Sequence, residues 1–287
     1  MLYKDMLIAI DADRVDEELI ELASQLARSF ESELIVVIGA VATPTALPIS
    51  GFGAGGGILI DSVVTTDDQS EASKRATEAR EKVEAILAAG KMAAKVHVTS
   101  GGLANIADFV VRIARSCDLF VTFNQLKDDS VVFDRSIFES VLRQGACGAF
   151  VAPRGYDLKG ATKRMIIAWN SSPEAARAVR VAIPFLVKAS RVTVLLVDPE
   201  LRQAGVEWRP GDELVEHLAR YGVKTELARV ASADIGVAAA IDAELEHRDA
   251  RMVVMGGYGQ SAIKDWVLGS VAREFLETAN IPILMAN

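Results

Sequence analysis

Two stretches of the chain decide its fold: MLIAIDADRVDEELIELASQLARSFESELIVVIGA, residues 6–40, and MIIAWNSSPEAARAVRVAIPFLVKASRVTVLLVDP, residues 165–199. Laid one over the other, they align without a gap. Each opens with a short apolar run ending in a polar residue, Asp11 or Asn170. Each continues through an amphipathic stretch of helical length into a second, β-branched apolar run. Self-similarity on this scale marks a repeated structural unit. The ends of the halves agree as well. CDLFVTFN (117–124) resembles ARMVVMGG (250–257), and DRSIFESVLRQGACGAFVAP (134–153) resembles LGSVAREFLETANIPILMAN (268–287). The chain therefore reads as two tandem domains, residues 1–155 and 160–287. The junction RGYDLKGATK (154–163), with two glycines and mixed charge, suits a linker.

Within each half, short unbroken apolar runs such as MIIAW, VTVLLV and MVVM alternate with amphipathic segments. Such runs suit strands covered on both faces, and the alternation argues for an α/β doubly wound sheet. The expectation is two Rossmann-like domains, each with a five-stranded, mostly parallel sheet. In the second half, strands are expected near 163–169, 191–197, 223–228, 251–255 and 282–286. Helices are expected near 172–189, 211–221, 233–248 and 269–280. Ser172 before Pro173 is a helix start. Pro184 should kink its helix or end it early. In such sheets ligands sit beyond the carboxyl ends of the strands, where the strand order reverses.

Composition narrows the function. The 287 residues carry a formal net charge of -8, which argues against non-specific nucleic-acid or anionic-membrane binding. No run approaches the roughly 18 apolar residues of a membrane helix. Acidic residues interrupt the N-terminal run MLYKDMLIAID, so it does not read as a signal peptide or anchor. Cys117 and Cys147 lack metal-ligand spacing and read as free thiols of a cytoplasmic protein. His97, His217 and His247 fall in separate elements. The charge-rich stretch 70–91 reads as a solvated helix.

Two glycine clusters compete for a phosphate. GFGAGGG (51–57) contains the spacing G-x-G-x-x-G, but it follows Pro44 and Pro48 and leads into β-branched ILIDSVV. A phosphate loop needs a strand directly before it and a helix directly after it, so this cluster reads as a mobile loop or lid. MGGYGQSAIKDWVLGS (255–270) meets the requirement. Strand RMVVM runs into it, and helix SVAREFLETAN runs out. Gly256 and Gly259 let the backbone turn and approach a ligand. Gly269 and Ser270 stand at a helix start, where free amides and the helix dipole favour an anion. By spacing alone, an ordinary strand–turn–helix connection remains open. Lys264 could reach a phosphate, although a solvated loop charge explains it better.

The pattern G-x2-G-x9-G-[ST] after a VVMG strand resembles that of the universal stress protein (UspA-like) family, within the adenine nucleotide alpha hydrolase-like fold. MIIAWNSSPEAARAV is similar to that family's first strand and helix, and NIPILMAN to its closing strand. The second half matches well and the first as a degenerate copy. The resemblance implies ATP, with or without magnesium, in the second half. Asn170 would contact adenine where an aspartate is usual, and backbone groups near Val197 would flank the base. Met255, Gly256 and Gly259 would line ribose and phosphates, and Gly269, Ser270 and Val271 would hold the phosphates. Trp169 could pack beside the base or serve the core. In the first half, Phe123, Leu126 and Arg135 replace the glycines, and Asp128, Asp129 and Asp134 would repel phosphate, so no ATP is expected there. The resemblance further implies pairing of the two final strands, 148–152 and 282–286, with further dimerisation left open.

Three functions follow. The first is a nucleotide-responsive stress regulator. The second is an interaction module without nucleotide. The third is a weak ATPase or adenylating enzyme, for which neither a general base nor a further catalytic motif is evident.

Overall fold

The computed structural model describes residues 3–43, 45–48, 60–63, 65–124, 132–159, 163–199, 202–203, 206–207, 209–257 and 270–287. The first half runs β1 (Asp5–Asp11), α1 (Glu17–Phe30), β2 (Glu33–Val41), β3 (Thr45–Pro48), β4 (Ile60–Val63), α2 (Thr66–Ala89), β5 (Ala94–Gly101), α3 (Leu103–Ala114), β6 (Leu119–Phe123), α4 (Val132–Gln144) and β7 (Gly148–Ala152). The second repeats that order: β8 (Arg164–Ala168), α5 (Pro173–Lys188), β9 (Arg191–Val197), β10 (Arg202–Gln203), β11 (Val206–Glu207), α6 (Asp212–Ala219), β12 (Thr225–Val230), α7 (Val237–His247), β13 (Met252–Gly256), α8 (Ser270–Thr278) and β14 (Ile283–Ala286). In both halves the connection after the second strand carries a small antiparallel hairpin, β3–β4 or β10–β11, which the sequence pattern had not marked. The cluster Gly51–Gly57 lies outside the described residues.

The strands form one ten-stranded sheet in the order β12-β9-β8-β13-β14-β7-β6-β1-β2-β5. Counted from the start of each half, both orders are 3-2-1-4-5, the α/β doubly wound arrangement. Pairing is parallel throughout each half and antiparallel only where β14 meets β7. There Leu284 faces Phe150, flanked by Ile283 with Val151 and Met285 with Ala149. Phe150 and Leu284 occupy the same place in the repeat, so this is the register that a twofold relation between the halves would give.

Local chemistry explains the helices. Asp16 caps α1 by accepting the Leu19 N–H at 3.1 Å. Ser172 caps α5 by accepting the Ala175 N–H at 3.1 Å, with Pro173 in the first turn. The expected interruption at Pro184 does not occur as an early end, because α5 continues to Lys188. Ala182, Ile183, Phe185 and Leu186 are buried around that proline, and their burial outweighs the lost backbone bond. Helix α7 starts four residues later than its pattern suggests. Ser232 is tied to Asp198, and Ala233 and Gly236 take positive φ values of 46° and 83°.

The core crosses the seam between the halves. Tyr3, Phe30, Phe150 and Phe185 form one aromatic cluster, with Phe30 and Phe185 edge to face at 4.7 Å and Phe150 and Phe185 stacked at 5.6 Å. The Tyr3 hydroxyl donates to the Val181 carbonyl at 2.6 Å. Helix α5 sits so closely on β7 that a Cβ at Gly148 would lie 2.2 Å from Val181 Cγ1. Burial pushes both free thiols, Cys117 and Cys147, up to about 12.

Three outcomes follow. Phe185→Ala should cost about 3–5 kcal/mol. Because the core is shared, urea unfolding followed by tryptophan fluorescence should coincide with far-UV circular dichroism; all three tryptophans (169, 208, 266) lie in the second half. A separate dichroism transition would disprove the shared core. Thiol titration at pH 8 should be slow in the native protein and complete in denaturant, since thiols with pKa values near 12 hold little thiolate at that pH.

Candidate functional site

In a 3-2-1-4-5 sheet the order reverses between the first and fourth strands. In the second half these are β8 and β13, and a cavity of about 230 Å³ opens beyond their carboxyl ends. The cavity brings together Asn170, Val197, Met255, Gly256 and Val271 of the residues singled out from sequence. Ser270 begins α8. Gly259, Gly269 and Lys264 lie outside the described residues.

Local folding explains each placement. Asn170 follows β8 and is solvent-exposed. Its Oδ1 accepts the Ser172 N–H at 3.1 Å, and Ser171 between them takes φ 60°. The turn commits the Asn170 carbonyl oxygen and leaves the amide NH2 as its outward-facing chemistry. Asp11 makes the same turn in the first half, accepting the Asp13 N–H at 3.1 Å.

Val197 ends β9, and the next residue, Asp198, bridges to the loop before α7. Its Oδ1 accepts the Ser232 N–H at 2.9 Å, and its Oδ2 accepts the Ser232 hydroxyl. Those bonds hold the Asp198 carboxyl below its usual range. Ser171, Asp198 and Ala233 are non-glycine residues at positive φ, one after each of β8, β9 and β12. Backbone of this kind gathers at functional sites, where the surroundings fix it.

Gly256 closes β13 against the start of α5. A Cβ there would lie 2.8 Å from the Ala175 nitrogen and 2.9 Å from Glu174 Cβ, contacts that real side chains do not make. The need for glycine is therefore steric. Apolar side chains, among them Leu195, Val197, Ile241 and Met255, make up much of the lining. Ser172 and Glu174 also line the cavity and were not singled out from sequence. Their positions in a helix's first turn read as capping and dipole residues, and only tertiary burial distinguishes Glu174.

Around Phe123, at the end of β6, a cavity lined by Phe123, Asn124, Asp134, Arg135, Phe138, Val151 and Leu276 of the second half measures about 10 Å³. Arg14 pairs with Asp134, and Arg154 pairs with Asp16 while lying 4.5 Å over the Phe123 ring. Burial, foremost, raises the carboxyls of Asp11 and Asp134. Leu126, Asp128 and Asp129 lie outside the described residues. Among the described residues, no cluster of ligating side chains could hold a metal ion, and no helix is long and apolar enough to cross a membrane.

The family model for the universal stress protein family matches residues 161–287. A universal stress protein from Archaeoglobus fulgidus DSM 4304 superposes with TM-score 0.66 at 15% identity, covering 98% of each chain. A putative universal stress protein from Pseudomonas aeruginosa UCBPP-PA14 has TM-score 0.51 at 16% identity, covering 98% of this chain and 92% of its own. At these identities the likeness is one of fold. A comparison with curated proteins returns no significant match. The second half of the chain, residues 161–287, is thus similar to the universal stress protein family.

Proposed function

We propose that the chain is organised as two units, residues 1–155 and 160–287, and that the second binds ATP as a nucleotide-responsive stress regulator. The observation that carries this reading is the cavity at the β8–β13 switch point, lined by Asn170, Val197, Met255, Gly256 and Val271. Asn170 would donate to the adenine edge through its amide NH2, beside backbone groups at Val197. Met255, Gly256 and Gly259 would line ribose and phosphates. Gly269, Ser270 and Val271 would hold the phosphates at the start of α8, with or without magnesium. The first half would serve as a structural partner, since ion pairs and Phe123 occupy the matching region. A cytoplasmic protein, paired through its own halves and able to dimerise further, fits this role. Nucleotide would act by changing conformation or partner surface, with ATP hydrolysis at most weak.

A second reading, an interaction module without nucleotide, draws on Asn170. The usual aspartate would offer an oxygen beyond the one held in the turn, and Asn170 does not.

Calorimetric titration of magnesium-ATP tests the choice. One site per chain is expected, lost in Gly269→Asp and unchanged in Asp11→Asn. Absence of binding by the unmodified protein would favour the interaction module, and loss of binding in Asp11→Asn would put nucleotide in the first half.

A further inference from the structure

One acidic group in the cavity is incompletely satisfied among the described residues. Glu174 lines the cavity, and the residue is only 7% exposed. Its Oε2 is buried and has no hydrogen-bond partner among the described residues. Its other oxygen lies 3.9 Å from Arg177 Nη1, too far for a hydrogen bond. The helix dipole favours an acidic residue in the first turn, but it gives Oε2 no hydrogen-bond donor. Burial without a partner adds only cost, and buried polar groups of this kind mark sites completed by something else.

The surroundings limit what that can be. An ionised carboxylate only accepts hydrogen bonds and repels phosphate. The missing partner is therefore an N–H or O–H donor, and the phosphates must lie elsewhere. Gly256 packs directly against Glu174, which puts the glutamate on the β13 side of the cavity. Val197, the expected neighbour of the base, ends β9 on the far side of β8. Two strand spacings separate β9 from β13, roughly 10 Å. A base seated at β9 thus leaves the sugar, with its pair of hydroxyls, at β13. Carboxylates recognise ribose hydroxyls in just this role in other doubly wound sheets.

We propose that Glu174 is a specificity-determining residue that accepts a hydrogen bond from a ribose hydroxyl of the bound nucleotide. The inference rests on the nucleotide reading above. It also restores an acceptor to a cavity whose usual aspartate is Asn170.

Titrations with ATP, 2′-deoxyATP and 3′-deoxyATP test it, on the unmodified protein and on Glu174→Gln and Glu174→Ala, with thermal melts alongside. The unmodified protein should prefer ATP over at least one deoxy analogue by about tenfold or more, and Glu174→Ala should reduce that ratio to within about twofold. Glu174→Gln, which keeps the volume, should weaken the preference while melting no lower than the unmodified protein, and it carries the test if Glu174→Ala fails to fold. A merely structural glutamate would alter melting and leave the ratio unchanged. ATP binding without discrimination, or with discrimination unchanged in the variants, overturns this assignment alone. No ATP binding by the unmodified protein overturns the nucleotide reading and this one together.

Discussion

The antiparallel contact between β7 and β14 is the constraint on which the architecture depends. A parallel sheet normally ends in two open edges, each a row of unpaired backbone groups. Here each half's last strand closes the other's edge, and Phe150 faces its own repeat counterpart, Leu284. The contact extends beyond backbone bonds, because Phe150 stacks on Phe185 of α5 and Phe185 meets Phe30 and Tyr3 of the first half. Gly148 is the steric condition for it, since any side chain there would collide with Val181. The halves therefore share one interior.

That shared frame lets the two switch points diverge. In the second half, Gly256 brings the end of β13 onto the first turn of α5, beside the cavity. In the first half, Phe123 stands at the matching place, under Arg154. The charges that follow β1 pair with Asp134 and Arg154 within the protein. Among the described residues, the second half thus shows an open crevice, and the first shows ion pairs and Phe123 at the matching place. Leu142 of the first half lies close to Gly257, where a Cβ would come within 3.2 Å, so the two regions touch across the seam.

Much of this was legible in the sequence because a repeat reveals itself twice. The strand positions of the second half fall within two residues of those observed, since buried strands are continuous apolar runs with clear ends. The hairpins β3–β4 and β10–β11 escaped because their strands are short and carry no apolar run. Pro184 lies inside α5 without ending it, because its local cost is smaller than the burial around it. At the site, Asn170, Val197, Met255, Gly256 and Val271 line one cavity. Glu174 was invisible. Its place after Ser172 and Pro173 is what any helix start shows, and only the packing of β13 onto α5 buries it.

The central claim is that the second half alone holds the nucleotide. Photolabelling with an azido-adenine analogue of ATP, followed by peptide mapping, tests it most directly. The account predicts label in peptides spanning the ends of β8, β9 or β13, competed away by ATP. Competable label in peptides from the ends of β1, β2 or β6 would contradict it.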